Sequence, residues 1–283
     1  MNSIIDIDMK NIGVDTIIRC HDPKRLMELD RALFSLLHQS HRPVHPIVVA
    51  QGFRETAFSE LRALVEGYHW KAFGHVDPTV VNVDAEHGKD IRAHLLNVGS
   101  QKLTQRYFAI LDSDDYLYGT AYEHLINEIS RTGAAIAFGN ISRKDVCVFD
   151  NFVYTRNYFE SVFQGNGLQD LVIDNFCPIH SFVVDRTVVA SVDIYFDETL
   201  NRLEDYEFLL RICTKYPSSF ESRSRFVGTY NWHLDGRASN QFSENEEKAV
   251  ANRIAWNNAR RNIWRLKCQL RDKISTVNNN SNK

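Results

Sequence analysis

Several common signatures are missing from this 283-residue chain, and each absence closes off a class of function. The five cysteines (Cys20, Cys147, Cys177, Cys213 and Cys268) lie far apart and form no C-x-x-C pair. Neither a zinc knuckle nor a disulfide framework is therefore indicated, and they read as mostly buried thiols of a reducing compartment. No apolar run is long enough to span a bilayer. The opening stretch MNSIIDIDMKNIGVD carries acids and lacks a long apolar core, so no signal peptide is expected there. There is no G-x-x-x-x-G-K-[ST], which excludes a P-loop NTPase, and no G-x-G-x-x-G, which excludes a dinucleotide oxidoreductase. A formal net charge of only -3 argues against a nucleic-acid binder. Internal repeats and long linkers are absent too. What remains, at 43% hydrophobic and 24% charged, is an ordinary globular composition, expected in the cytoplasm.

Hydrophobic runs and helical stripes alternate along the first half. Asp15 to Cys20 reads as a strand, and Asp22-Pro23 as the cap and first position of a helix. Leu26, Leu29, Leu33, Leu36 and Leu37 give that helix one apolar face. Strands follow at Pro46 to Ala50, Thr79 to Val83 and Phe108 to Leu111, separated by helices at about Glu55 to Glu66 and Lys89 to Lys102. This β-α-β-α-β-α-β order predicts a parallel, three-layer α/β sheet with right-handed crossovers. Beyond it come a helix over about Gly119 to Arg131, strands at Ala134 to Phe138, Ile179 to Val184 and Arg225 to Trp232, and a helix opened by Glu204-Asp205. Val146, Val148, Phe152 and Val153 suggest antiparallel strands or a flap. A last long helix is expected from about Glu244 to Ile274, with an Asn-rich, unstructured tail from Asn278.

The run Tyr107-Phe108-Ala109-Ile110-Leu111 has no polar alternation, as in a strand buried on both faces, and ends in Asp112-Ser113-Asp114-Asp115. In open α/β sheets, ligands bind at the carboxyl ends of the strands. Two carboxylates two residues apart can face one hard cation, Mg²⁺ or Mn²⁺, which shares its shell with water and phosphate oxygens. Spacing alone also fits an acidic turn that caps the next helix.

Four landmarks in order carry a resemblance. They are Ile17-Ile18-Arg19-Cys20-His21-Asp22 with the following Ala32 to Ser40 helix, Arg92 through Leu96-Asn97-Val98-Gly99, Leu111-Asp112-Ser113-Asp114-Asp115, and Glu204-Asp205 through Arg211. Tyr230-x-x-His233 followed by Ser239 is a weaker fifth. Together they resemble the inverting, family 2 glycosyltransferases of the GT-A fold, over about residues 14 to 240. The resemblance implies a three-layer, Rossmann-like, mostly parallel sheet. It implies a glycosyltransferase domain over 1–243, with a nucleotide-binding half at about 14–118 and an acceptor half at 119–243. Residues 244–283 would add an amphipathic helix and tail.

The implied activity is metal-dependent transfer of a single sugar from a nucleotide-sugar, with UDP-sugar as the expected donor, to a glycan or lipid-linked acceptor in surface polysaccharide assembly. Mn²⁺ or Mg²⁺ would be held by Asp114, with Asp112 on the ribose or in the metal shell and His233 as a further ligand. Arg19, His21, Gln51, Arg92, Asp112 and Ser113 would meet the donor. Asp205 would be the base that takes the acceptor's proton, with Glu204 orienting the acceptor or serving as second base. One departure concerns the nucleotide. Where many members carry an acidic residue after the second strand, this chain has Gln51, whose amide can still donate to and accept from uracil. A non-catalytic nucleotide-sugar-binding module and a nucleotidyltransferase are the alternatives. The latter would want a glycine-rich loop where His21-Asp22-Pro23-Lys24 stands. A processive synthase is disfavoured, lacking transmembrane helices and a Q-x-x-R-W motif.

In the last helix, Trp256, Ala259, Ile263, Leu266, Leu270 and Ile274 form one stripe, with Arg253, Arg260, Arg261, Arg265 and Arg271 mostly away from it. The stripe is expected to dock on the protein, leaving the basic face for anionic headgroups at the inner membrane face or for a partner subunit.

Overall fold

The computed structural model describes residues 12–85, 89–149, 152–234 and 246–280, with side chains of the last segment described over 249–270. The expected alternation forms. In order come β1 (Val14–Cys20), α1 (Leu26–Leu37), β2 (Val44–Gln51), α2 (Glu55–Glu66), β3 (Thr79–Val83), α3 (Arg92–Ser100) and β4 (Tyr107–Asp112). Then follow β5 (Tyr116–Leu117), α4 (Ala121–Thr132), β6 (Ile136–Phe138), β7 (Asn140–Val148), β8 (Val153–Phe159), α5 (Leu168–Ile173) and β9 (Phe182–Asp185). The chain continues with α6 (Glu204–Lys215), β10 (Ser218–Ser219), β11 (Phe226–His233) and α7 (Glu246–Asn280). Asp22 accepts from the Lys24 backbone N–H at 2.9 Å and so caps the turn that leads into α1.

The main sheet has the order β10-β6-β9-β4-β1-β2-β3. β1 runs parallel to both β2 and β4, and β2 to β3, while β9 is antiparallel to β4 and β6. Alternate residues of the central strands feed two separate cores. Ile17, Ile47, Val49, Phe108 and Ile110 pack with α3, α6 and the buried residues of α7. Ile18, Val48, Ala109 and Leu111 pack with α1, α2 and α4 on the other face. Because both faces are covered, these strands carry no polar alternation. The result is the three-layer α/β architecture expected from the sequence.

A second sheet, β5-β11-β7-β8, lies beyond the main one. Here β11 is antiparallel to β5 and parallel to β7, and β7 is antiparallel to β8. The antiparallel reading of residues 144–158 therefore stands. Elements of two to six residues (β5, α5, β10) went unforeseen because they are too short for periodicity to register. The strand expected from Ile179 begins at Phe182, since His180 and Ser181 are buried in the preceding turn. α7 docks through Ala259, Ile263 and Leu270, and Lys267 donates to the Ile173 carbonyl at 2.8 Å. It continues to Asn280, past its expected end at Ile274, while the rest of the tail and Ser239 lie outside the described residues.

Candidate active site

Parallel pairing aligns the carboxyl ends of β1 and β4, so Arg19 stands directly beside Asp112. Its guanidinium donates to Asp112 Oδ1 from Nε at 2.9 Å and from Nη2 at 2.6 Å. The remaining arm, Nη1, reaches Glu204 Oε1 at 2.6 Å, across 185 residues of sequence. Burial of Arg19 works against its charge, but the two carboxylates outweigh that cost and hold it cationic. Glu204, 3% exposed, is thus committed to Arg19 at the start of α6.

The three carboxylates after β4 divide by environment. Asp115 is 1% exposed; its Oδ1 accepts from the Asn231 backbone N–H at 2.7 Å, and its Oδ2 lies 3.3 Å from His180 Nδ1. It ties the end of β4 to β11. Burial, then the charges of Asp114 and Asp112, push its carboxyl well above the usual range. Asp112 and Asp114 keep partial exposure, 28% and 22% of their side chains, toward the cleft. Ser113 is buried in the turn between them.

Asp114 belongs to a compact cluster. Arg25 Nη2 lies 2.9 Å from Asp114 Oδ2, Glu28 Oε1 and His233 Nε2 alike. His233 Nε2 is itself 3.2 Å from Asp114 Oδ2 and 3.4 Å from Glu28 Oε1. Burial opposes the charge on Asp114, yet His233 and Arg25 hold it far below the usual carboxylate range. The Asp114 carbonyl accepts from Asn231 Nδ2 at 2.6 Å and Arg31 Nη2 at 3.2 Å, which fixes the turn. A carboxylate and an imidazole at this separation suit a divalent ion completed by diphosphate and water. Among the described residues, no group of three or more His, Cys, Asp or Glu could hold a metal alone. The cation now standing among the donors is Arg25.

Asp205 follows Glu204 in the first turn of α6, half-buried. Burial first, then the Glu204 charge, push its carboxyl up to about 7. That value suits a group that accepts a proton near neutrality.

The other candidates line the rim. Gln51 Nε2 donates to the Lys89 carbonyl at 2.5 Å. Next to it, Gly52 has φ of +62°, a left-handed turn suited to glycine. Arg92 is held by Asp90 (Nη2 to Oδ2, 2.8 Å), which also binds Arg202 Nη1 at 2.5 Å. Asp84, Lys89, Asp90, Arg92, Glu198 and Asn201 line an open cleft of about 770 Å³ there. His21 is exposed at the turn after β1, within the field of Arg25 and Asp114. The candidates thus gather in two clusters, Arg19 with Asp112 and Glu204, and Arg25 with Asp114, Glu28 and His233; Arg92, held by Asp90, lies within the field of Glu204 and Arg19, and Gln51 is bound to the Lys89 carbonyl.

Sequence reasoning missed Arg25, Glu28, Asn231 and His180. The available signal was an Arg–Glu pair at i,i+3 abutting the apolar stripe of α1, where charges are rarely buried unpaired. Asn97 clamps the loop ahead of α6, donating to the Phe196 carbonyl at 2.9 Å and accepting from the Phe196 N–H at 2.8 Å.

The fold has solved counterparts. S. aureus TarS residues 1-349 in complex with UDP-GlcNAc superposes with a TM-score of 0.56 at 15% identity, covering 86% of this chain and 65% of that one. Another S. aureus TarS structure gives 0.56 at 15% identity, over 77% of this chain and 36% of that one. The mannosyltransferase PcManGT from Pyrobaculum calidifontis, in complex with GDP-Man and Mn²⁺, gives 0.51 at 13% identity, over 77% and 56%. The chain therefore spans less than two thirds of these proteins' lengths. No curated protein matches it in sequence. The sequence profile of glycosyl transferase family 2 matches residues 25–193, a span holding Arg25, Gln51, Arg92 and the Asp112–Asp115 turn, and the chain belongs to that family.

Proposed function

We propose that this glycosyltransferase moves one sugar from a nucleotide-sugar, UDP-linked in the first instance, onto a hydroxyl of a glycan or lipid-linked glycan, with inversion at the anomeric carbon. The observation that carries this reading is the Arg19 bridge. It joins the acidic end of β4 to the start of α6, with Asp205 in the field of Glu204, Arg19 and Asp112. Asp205 takes the acceptor's proton as its oxygen bonds to the anomeric carbon, and the bond to the diphosphate breaks with its electron pair on phosphate. A carboxyl at about 7 is ionised often enough to accept that proton and basic enough to keep it. Glu204 and Asp112 hold Arg19 in place, and Arg19 supplies positive charge at the floor of the site. Asp114 and His233 would hold Mn²⁺ or Mg²⁺, which supplies Lewis-acid stabilisation to the departing diphosphate. Arg25, paired through two hydrogen bonds with Glu28, would add positive charge beside Asp114.

Arg92, which lines the cleft, and Gln51, bound to the Lys89 carbonyl at its edge, would meet the nucleoside. The TarS complex with UDP-GlcNAc and the PcManGT complex with GDP-Man and Mn²⁺ support donors of this class and a divalent ion. Residues 1–243 would form the transferase unit, in a nucleotide half and an acceptor half. No helix of the described residues is long and apolar enough to cross a membrane. α7 nevertheless leaves Trp264 (65% exposed) and Ile254 (53%) among the exposed Arg253, Arg260, Arg261 and Arg265, which suits peripheral contact with anionic headgroups at the cytoplasmic face.

The test is calorimetric titration of UDP-sugars with and without Mn²⁺ into the wild type and Asp114→Ala. Metal-enhanced binding that disappears in the variant, with its melting behaviour intact, is the expected result. Equal binding by both proteins would return Asp114 to a structural turn. Donor binding without any release of UDP would favour a non-catalytic binding module.

A further inference from the structure

The second sheet carries an unusual surface. β8 is its edge strand, and Tyr154 through Phe159 are all exposed. Tyr154 (55%), Tyr158 (49%) and Phe159 (42%) are far more open than isolated surface aromatics need be. The pairing explains how they are presented. Tyr230, Arg143 and Phe159 form one cross-strand row, and Trp232, Asp145 and Asn157 the next. An irregularity opposite Asp145 and Val146 resets the alternation of β8, so Tyr154, paired with Cys147, joins the same face.

Polar groups are set between the rings. Arg143 lies with its guanidinium carbon 4.7 Å from the Trp232 ring centre and 5.5 Å from that of Phe159. Asp145 fixes it, accepting from Arg143 Nε at 2.8 Å, and also accepts from Asn157 Nδ2 at 3.2 Å. The face also adjoins the catalytic carboxylates, because Tyr230 and Trp232 flank Asn231 in β11, which donates to Asp115 and to the Asp114 carbonyl. Trp232 is 6.2 Å from Tyr230, centre to centre, and Tyr230 stacks on His180 at 6.4 Å and 13°. His180 in turn lies 3.3 Å from Asp115, beside the donor-facing carboxylates.

Resting on the glycosyltransferase reading, we propose that the face formed by Tyr230, Trp232, Arg143, Asn157, Phe159 and Tyr154 is an acceptor track for an extended chain of hexopyranose rings. The chemistry favours a glycan over a lipid or a protein. A pyranose presents C–H groups on its flat faces and hydroxyls around its rim, so it needs rings to stack on and planar polar groups between them. A lipid surface has no use for an Asp–Arg–Asn hydrogen-bond network set among the rings. Three strands about 4.8 Å apart, read over four to five residues at about 3.3 Å each, make a face roughly 15 Å long, enough for about three sugar rings. The residue nearest the cleft, Tyr230, would meet the sugar next to the one that receives the transfer.

The experiment uses the full chain and two measurements. UDP binding is followed by calorimetry. Glycan binding is followed on an array of hexose and N-acetylhexosamine oligosaccharides of two to six residues. The wild type is expected to retain at least one glycan series, more tightly as length rises to three rings. Phe159→Ala and Tyr154→Ala, both at exposed positions, should weaken it roughly tenfold and Trp232→Ala at least as much, with UDP affinity unchanged. Absence of any glycan binding by a wild type that binds UDP would overturn the track. So would variants that bind glycans like the wild type. Loss, in Phe159→Ala, of binding to phosphatidylcholine–phosphatidylglycerol vesicles or of a dimer seen by light scattering would assign the face to lipid or to a second copy, and would overturn it equally. Failure to bind any nucleotide would instead count against the glycosyltransferase reading and leave the glycan result to stand by itself.

Discussion

Replacing Asp205 with asparagine should do two opposite things, and the burial of its carboxyl sets the size of both. The group is raised from 3.8 to about 7, by burial first and by Glu204 second. As the base, it must be ionised to act, so turnover should fall about tenfold for each pH unit below 7. Its effect on stability follows from proton linkage. A carboxyl with a raised folded-state pKa binds a proton that the unfolded chain has already released, so folding loses stability as pH climbs from about 4 to about 7. Above pH 7 the loss is complete. Three pKa units correspond to about 4 kcal/mol as an upper bound, reduced by relaxation of the surrounding groups and water entry. Asp205→Asn keeps the shape and removes the charge. Transfer should vanish, nucleotide binding should persist, and the variant should be more stable than wild type by a few kcal/mol at pH 8. Near pH 4, where the wild-type carboxyl is neutral in the fold, the gain should shrink toward zero. Urea denaturation at pH 4, 6 and 8, with UDP-release rates across pH 5 to 8.5, measures both. A flat rate profile, or a stability difference that does not grow with pH, would refute the assignment.

Arg25→Gln removes the cation shared by Asp114, Glu28 and His233, and should raise the affinity of the donor-free protein for Mn²⁺ by about tenfold, read as free Mn²⁺ by electron paramagnetic resonance. Unchanged affinity would mean that Arg25 and metal do not compete. Arg19→Ala leaves buried Glu204 without its ion-pair partner and should cost about 3 kcal/mol of stability in a denaturant titration. Gly99→Ala would place a Cβ 2.5 Å from Ile17 Cγ2, where α3 lies directly on β1. The helix must lift from the sheet, for a loss of roughly 1–3 kcal/mol in the same titration.

Much of the fold could be read from the chain because the central strands are buried on both faces. Their unbroken apolar runs, such as Phe108 to Leu111, separate cleanly from the leucine stripe of α1. The antiparallel direction of β9, by contrast, leaves no trace in its four residues, since direction is decided by the partners it finds across the sheet. The site was legible in part for a similar reason. Asp112 and Asp114 announce themselves as charges at the end of an apolar strand. Nothing local distinguishes them from Asp115, which the fold buries against Asn231 and His180. The Arg25 cluster joins residues 208 positions apart, and only tertiary structure assembles it. Glu204 and Asp205 are adjacent in sequence, yet one is bound to Arg19 and the other lies near neutrality. Their different settings are a product of environment and cannot be seen in the pair itself.

The most direct test is proton NMR of the anomeric signals as the protein turns over a panel of UDP-α-hexoses with Mn²⁺ and an oligosaccharide acceptor, alongside Asp205→Asn. A β-linked product, formed by the wild type and lost in a variant that still binds UDP, is expected from an inverting transfer with Asp205 as base. An α-linked product, or an Asp205→Asn variant that transfers at the wild-type rate, would contradict it.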